Sequence, residues 1–205
     1  MSPLSHRRRF TRIMLGVPLA LLAMEPARSN PIEALLADAQ KPLHDDELWV
    51  LVDDAEATLS VFRGHTVIER FFPVSLGRSG AKPERLRGGN VTPLGEFRVN
   101  RFNHESRWHI FIGIDYPTPE HARMALESGV FTEQDYQAFM RHRHRYGQPP
   151  QNTILGGAIG IHGIGGGDPE IHNRFHWTEG CVAVTNEQIE RLAELVDIGT
   201  RVVIR

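Results

Sequence analysis

The sequence contains a single cysteine, Cys181, in a segment whose residue types suit nucleophilic chemistry. Gly180 comes directly before it, and His162 lies earlier in a glycine-rich stretch. The thiolate is the reactive form of cysteine. Because the pKa of a free thiol is about 8.5, a nearby base is needed to form the thiolate at neutral pH. His162 is the first candidate for that base.

The residues around the pair indicate how it would be positioned. Ile159 and Ile161 alternate with glycines, which favours a short strand with His162 on its opposite face, beside the loop that carries Cys181. Gly180 would let the backbone approach a bound carbonyl group, so that the N–H groups of Gly180 and Cys181 could hold an oxyanion. A non-catalytic interpretation stays open, since a lone cysteine is often a small buried apolar residue.

Short apolar runs elsewhere in the chain predict a β-rich core that would position these residues. The runs are separated by Asp, Gly and Pro turns, and they comprise residues 48–52, 58–62, 67–72, 96–99 and 201–204. A hairpin turn is expected at residues 63–65.

Helical patterns interrupt and flank these strands. Residues 119–128 and 132–145 predict two helices, with Tyr136, Phe139 and Met140 on one face of the second. Thr185 and Gln188 form a possible capping box for a C-terminal helix that ends at Gly199. Near the start, Asn30 and Pro31 are helix-start residues, which predicts a short peripheral helix within residues 29–46.

The second inserted helix ends in a basic run that contains Arg141, Arg143 and Arg145. Cations are favoured at a helix C-terminus by the macrodipole, so a solvated helix end is the simpler interpretation. The sharper hypothesis is a lid whose arginines meet an acidic substrate.

Residues 1–28 are typical of an export signal. Arg7, Arg8, Arg9 and Arg12 precede an uncharged stretch at 13–24, and the order of the arginines also fits a twin-arginine signal. Twelve residues are too few to span a bilayer, which needs about 20, so no stable membrane span is expected after signal removal. The remaining chain has 18 basic against 24 acidic groups, which argues against a nucleic-acid partner. We expect the mature domain to work in the periplasm or cell envelope.

Several of these segments together resemble one known protein family. The segments Ile161-His162-Gly163 and Thr178-Glu179-Gly180-Cys181-Val182, with 15 residues between His162 and Thr178, resemble the signature of YkuD-type L,D-transpeptidase catalytic domains. Thr92-Pro93-Leu94-Gly95, Tyr116-Pro117 and the closing Gly199-Thr200-Arg201 segment look like parts of the same domain, so that the resemblance covers residues 47–205. Glu179 stands where many members have His, which favours His162 as the base.

The resemblance implies a mostly β, mixed sandwich-like fold with a short helical insertion and a C-terminal helix. Cys181 would be the nucleophile, His162 the proton-transfer residue and the Gly163 carbonyl the group that orients the imidazole. The substrates would be peptidoglycan stem peptides, processed through an acyl-enzyme without a metal or organic cofactor. An acceptor amine would give an L,D-transpeptidase, and water an L,D-carboxypeptidase or a hydrolase of the peptidoglycan–lipoprotein link. Thr178 and His176 are further candidates for substrate contact.

The sequence also admits two rival hypotheses. A metal-dependent peptidase would use His162, His172 and His176 as zinc ligands. It would leave Cys181 unexplained, and His172 and His176 are more simply loop or rim residues. A non-catalytic cell-wall binding module would be favoured by a buried, inert thiol.

Overall fold

The computed structural model describes residues 31–205, so the predicted export signal at 1–28 lies outside the described residues. The strands are β1 (Leu48–Asp53), β2 (Thr58–Arg63), β3 (Thr66–Phe71), β4 (Ala81–Lys82), β5 (Thr92–Pro93), β6 (Gly95–Ser106), β7 (His109–Ile114), β8 (Gly160–His162), β9 (Val182–Ala183) and β10 (Arg201–Ile204). The helices are α1 (Pro31–Ala39), α2 (Pro119–Glu127), α3 (Glu133–Tyr146), α4 (Pro169–Arg174) and α5 (Asn186–Leu195).

Eight strands form one mixed sheet in the order β3-β2-β1-β10-β6-β7-β8-β9, and β4 pairs separately with β5. The antiparallel β2–β3 hairpin turns at Gly64, as predicted. Strand β1 pairs in parallel with β10, so that Trp49 lies opposite Arg201 although 152 positions separate them. The predicted mostly β fold with a helical insertion and a C-terminal helix is confirmed.

Strand β6 is much longer than the predicted run at 96–99. It extends to Ser106 and pairs with β7, which the sequence pattern does not predict. Residues 100–106 are mostly polar and half-buried or exposed, so their apolar alternation is weak. Pairing with β7 holds them extended, and the resulting hairpin carries Trp108 at its tip.

The predicted helices form, with small differences at their ends. Helix α3 begins with a capping box between Thr132 and Asp135 and ends at Gly147, whose φ of 69° is the left-handed conformation that favours glycine. The predicted box between Thr185 and Gln188 caps α5, which ends at Leu195 before it reaches Gly199.

Helix α1 packs more closely than the predicted peripheral helix. Ile32 and Leu36 are buried against Trp49, Met124 and Val203, because α1 crosses β6 and α2. The lead-in is therefore part of the packed domain. No helix within residues 31–205 is long and apolar enough to cross a membrane.

Candidate active site

Two short parallel strands bring the histidine and the cysteine together. Strand β8 ends at His162, and β9 begins at Val182, directly after Cys181. Their register places Ile161 beside Val182 and His162 beside Ala183. In the same register Cys181 falls beside Gly160, so the two proposed catalytic residues lie only two positions apart along the strand pair, and both line one cleft of about 800 Å³.

Hydrogen bonds within the chain fix the turn that carries Cys181. The buried Thr178 hydroxyl donates to the Cys181 carbonyl (2.7 Å) and accepts from the Gly180 N–H (3.0 Å). Gly180 has φ +129°, and a Cβ there would lie only 2.5 Å from the Val91 carbonyl oxygen. The local sequence thus needs glycine at 180 and a hydroxyl at 178.

These contacts change the expected oxyanion site. The Gly180 N–H donates to Thr178, so it does not point freely toward a bound carbonyl group as the sequence suggests. The Cys181 N–H is the remaining candidate donor in this turn. Thr178, expected to contact substrate, also lines the cleft, but its hydroxyl is engaged within the turn.

The tautomer of His162 follows from its neighbour. Its Nδ1 lies 2.7 Å from the Gly163 carbonyl oxygen, which can only accept, so Nδ1 carries the proton and Nε2 has the lone pair. Asn186, at the start of α5, clamps the same loop by two hydrogen bonds with the backbone of Gly165. The imidazole is therefore presented as a base.

Aromatic rings enclose that imidazole. Trp108 stacks on it with centroids 5.0 Å apart, Phe111 lies at 6.3 Å and Trp177 meets it at a steep angle at 5.9 Å. Burial lowers the pKa of His162 to about 4; the Gly163 hydrogen bond opposes this and the charge of Arg107 adds to it. The imidazole is neutral at pH 7.

The thiol is also neutral at rest. Cys181 Sγ lies 3.6 Å from the carbonyl oxygen of Ala158, to which the thiol donates. Desolvation of the sulfur raises the pKa of Cys181 to about 11, against the opposing effects of a Gly160 backbone hydrogen bond and the charges of Arg85 and Arg101. A thiol and an imidazole, rather than a preformed ion pair, occupy the resting site.

The carbonyl that holds the thiol is itself held in place. Ala158 has φ +54°, a left-handed conformation that is uncommon for a residue with a Cβ. Gln151 accepts a hydrogen bond from the Ala158 N–H (2.6 Å) and donates to the carbonyl oxygens of Tyr116 and Pro149. Gln151 therefore ties the floor of the cleft to the β7–α2 connection.

Cations dominate the cleft walls. Arg101 lies over the ring of Phe111 and Arg107 over that of Trp108, at 5.1 and 4.7 Å from the ring centroids. The charged residues of the cleft are Arg78, Arg85, Arg101, Glu105, Arg107 and Glu179. Four positive against two negative groups favour an anionic ligand.

The other two histidines of the rival zinc hypothesis have different surroundings. His172 is buried on α4, not at a rim, and its Nδ1 accepts from the Trp177 indole at 3.4 Å. Nδ1 of His176 accepts from the Leu76 N–H, and its Nε2 faces Asp54 at 3.8 Å. Within residues 31–205 no three His, Cys, Asp or Glu side chains are grouped to hold a metal ion.

The three arginines of α3 lie outside the residues that line the Cys181 cleft. Arg143 is half-buried and pairs with Asp115 at 3.3 Å, whereas Arg141 and Arg145 are exposed.

A second opening shares Gly157 and Glu179 with the cleft, and a third depression, near the end of α3, shares Gln151 and Asn152 with the second. The surface between Cys181 and α3 is thus a continuous series of depressions.

Sequence reasoning missed several residues that shape the site. Arg85, Trp108, Phe111 and Gln151 come from segments far from Cys181 in the chain, and only the folded sheet brings them there. Trp177 had the one local signal, because it directly precedes Thr178 in the motif segment.

Comparisons with known proteins show which proteins this chain resembles. The family model described as the YkuD L,D-transpeptidase catalytic domain matches residues 47–204. Among solved structures, the helical cell shape determining protein Pgp2 from Campylobacter jejuni has a TM-score of 0.53 and 18% identity, over 84% of this chain and 54% of that one. Bd1075 from Bdellovibrio bacteriovorus has a TM-score of 0.47 and 20% identity, over 78% and 48%.

L,D-transpeptidase 1 from Mycobacterium tuberculosis has a TM-score of 0.41 and 14% identity, over 78% of this chain and 62% of that one. The chain thus spans about half the length of the Pgp2 and Bd1075 structures. No curated protein sequence has a significant match to it.

Proposed function

Because the chain belongs to the YkuD family of L,D-transpeptidase catalytic domains, we propose that it acts on peptidoglycan stem peptides with Cys181 as nucleophile and His162 as proton-transfer residue. The observation that carries this proposal is the shared cleft, in which a thiol lies with an imidazole whose Nδ1–H is tied to Gly163. An exported enzyme of the periplasm or cell envelope is part of the same proposal.

The acylation step follows from the neutral resting pair. As Cys181 leaves the Ala158 carbonyl and attacks the peptide carbonyl, its proton passes to Nε2 of His162 and a carbon–sulfur bond forms. The Cys181 N–H is a donor for the developing oxyanion. The carbon–nitrogen bond to the terminal D-residue then breaks, and the departing amine takes the proton from His162.

The second step returns the site to its starting state. An amine of a second stem peptide attacks the thioester and gives its proton to His162; the new carbon–nitrogen bond forms, the carbon–sulfur bond breaks and sulfur regains the proton. Water in place of the amine would give a carboxypeptidase product. The cationic walls of the cleft suit the carboxylates that stem peptides carry.

The test is to incubate the purified protein with defined tetrapeptide and pentapeptide muropeptides and identify the products by mass spectrometry. We expect cross-linked or D-residue-exchanged products, or trimmed peptides if water is the acceptor. Cys181→Ala should remove turnover and leave circular dichroism unchanged, because one sulfur is lost from a half-buried turn. Activity of Cys181→Ala within about tenfold of wild type, a barrier change of about 1.4 kcal/mol, would overturn the nucleophile assignment.

A further inference from the structure

A buried guanidinium lies directly behind the nucleophile turn. Arg85 follows β4 and is only 7% exposed, yet it donates hydrogen bonds to three backbone carbonyl oxygens. They are those of Val91 (2.9 Å), Leu155 (2.6 Å) and Glu179 (3.4 Å). The guanidinium also lies 5.4 Å from the centroid of the Tyr116 ring.

This arrangement is costly for a purely structural residue. A buried charge is normally neutralised by an opposite charge, because desolvation is only partly offset by neutral dipoles. The buried Arg201 of the same chain follows this rule, because its guanidinium pairs with the Glu47 carboxylate at 2.8 Å. No ion pair within residues 31–205 involves Arg85.

The guanidinium is aimed at the turn that carries Cys181. A Cβ on Gly180 would lie 3.0 Å from Arg85 Nε and 3.4 Å from Nη2, so the cation packs against the residue next to the nucleophile. Arg85 also lines the cleft with Cys181. The other charged or titratable groups that line it are Arg78, Arg101, Glu105, Arg107, His162 and Glu179.

We propose that Arg85 is a positioning residue whose uncompensated positive charge stabilises the anion that forms at Cys181 during the reaction. The charge remains without a carboxylate partner in the resting enzyme, and the thiolate supplies the opposite charge when the proton moves to His162. A fixed cation at this place needs no reorganisation at that moment. This inference rests on the proposed function, since it assumes that Cys181 is the reacting atom.

Labelling of Cys181 by iodoacetamide tests whether the Arg85 charge stabilises the thiolate, and it needs no peptidoglycan substrate. Iodoacetamide is uncharged, so its rate at a fixed pH follows the thiolate fraction and the access to sulfur. For Arg85→Gln and Arg85→Met we expect about tenfold slower labelling at pH 8, equivalent to a pKa about one unit higher. Arg85→Lys keeps the charge and should stay within about threefold of wild type.

The sign of the change separates this role from a structural one. Loss of mere support would loosen the turn, hydrate the sulfur and make labelling faster in all three variants. The matched control is Arg98→Gln, an exposed arginine outside the cleft that donates to the Gly199 carbonyl and should leave labelling unchanged. Faster or unchanged labelling in Arg85→Gln and Arg85→Met would overturn the proposal.

Folding is checked by circular dichroism. Failure of both charge-free variants to fold would also overturn the proposal, because Arg85 would then belong to the framework. The nucleophile assignment stands or falls separately, on turnover of Cys181→Ala with muropeptides.

Discussion

At the scale of single residues, the environment keeps both proposed catalytic groups uncharged in the empty site. Burial lowers the pKa of His162 to about 4 and desolvation raises that of Cys181 to about 11, so proton transfer between them is uphill in the empty site. An uncharged thiol is a poor nucleophile toward adventitious electrophiles. The site should therefore react slowly with general thiol reagents at neutral pH.

The ring of Trp108 contributes to the burial that lowers the pKa of His162, and its removal provides a prediction. The base form of His162 exists above the pKa of its imidazolium, so we expect the acid limb of the wild-type kcat/KM profile near pH 4. Trp108→Ala removes the stacked ring and hydrates the imidazole, which should move that limb upward toward 6.5, the usual histidine pKa. Turnover measured between pH 3.5 and 8 checks this.

Trp108→Phe is the control for that experiment, because it keeps an aromatic face over the imidazole. We expect its acid limb to stay closer to that of the wild type. An acid limb that lies at the same pH in Trp108→Ala and wild type would show that burial by this ring does not set the basicity of His162.

At the scale of elements, the helical insertion is linked to the cleft by surface depressions rather than by direct contact. Arg143 is already paired with Asp115, which leaves Arg141 and Arg145 as the exposed cations of α3 available for a long anionic substrate. Exposed ion pairs contribute about 0–1 kcal/mol each and weaken with salt. We therefore propose binding, not chemistry, as the role of these two arginines.

The corresponding prediction concerns the double change Arg141→Gln and Arg145→Gln. It should raise KM several-fold at low salt, flatten the salt dependence of KM and leave iodoacetamide labelling of Cys181 unchanged. Saturation kinetics with muropeptides at low and high salt make the measurement. Identical KM values for this variant and wild type at both salt concentrations would identify the basic run as a solvated helix end. Arg123→Gln, a charge change on α2, serves as the control.

The elements that the sequence predicts well are those with local causes. The capping box at Thr185 is read directly from neighbouring residues, so α5 begins where expected, and α3 lies within one residue of the expected 132–145 at each end. Strand β7 and the outer half of β6 depend on each other, and strands of two or three residues such as β4, β5 and β9 have no pattern long enough to recognise.

The residues of the site divide in the same way, into those with a local sequence signal and those that depend on contacts between distant segments. The motif at 178–181 and His162 can be found from spacing and resemblance, and the Gly163 carbonyl has the expected hydrogen bond. The donor role of the Gly180 N–H could not be judged from sequence, because it depends on where the Thr178 hydroxyl turns. Arg85 and Trp108 act through contacts between segments distant in the chain, which no local pattern encodes.

At the scale of the whole molecule, the buried Arg201 joins the lead-in to the central sheet. It pairs with Glu47, approaches Glu96 at 3.4 Å and donates to the carbonyl oxygens of Ala39 and Lys41 (both 2.7 Å). Burial would raise the pKa of Glu47, but hydrogen bonds from Arg201 and the Leu43 N–H outweigh it and hold that pKa below its usual value.

This pair gives a pH-dependent stability prediction. Because the folded-state pKa of Glu47 is depressed, its contribution is present above the unfolded pKa of about 4.3 and is lost as pH falls through the folded value. Glu47→Gln should thus lower the free energy of unfolding at pH 7, by an amount that shrinks at pH 3. Urea unfolding at both pH values measures this, and exposed Glu56→Gln is the control. A deficit that is equal at the two pH values would contradict it.

Removing the Arg201 cation should lower the free energy of unfolding more than Glu47→Gln does. Arg201→Ala leaves Glu47 as an uncompensated buried carboxylate, and we expect a loss of about 3–5 kcal/mol at pH 7.

The parallel pairing of β1 with β10 also bears on how the protein is made. During synthesis, the β1–β3 meander leaves the ribosome long before β10 exists, so β1 has a row of unsatisfied backbone groups along one side. That open edge can recruit a strand from another nascent chain, and the long separation of its proper partner slows closure. The edge of β1 therefore stays unpaired on this side from the translation of residue 53 until β10 has been made.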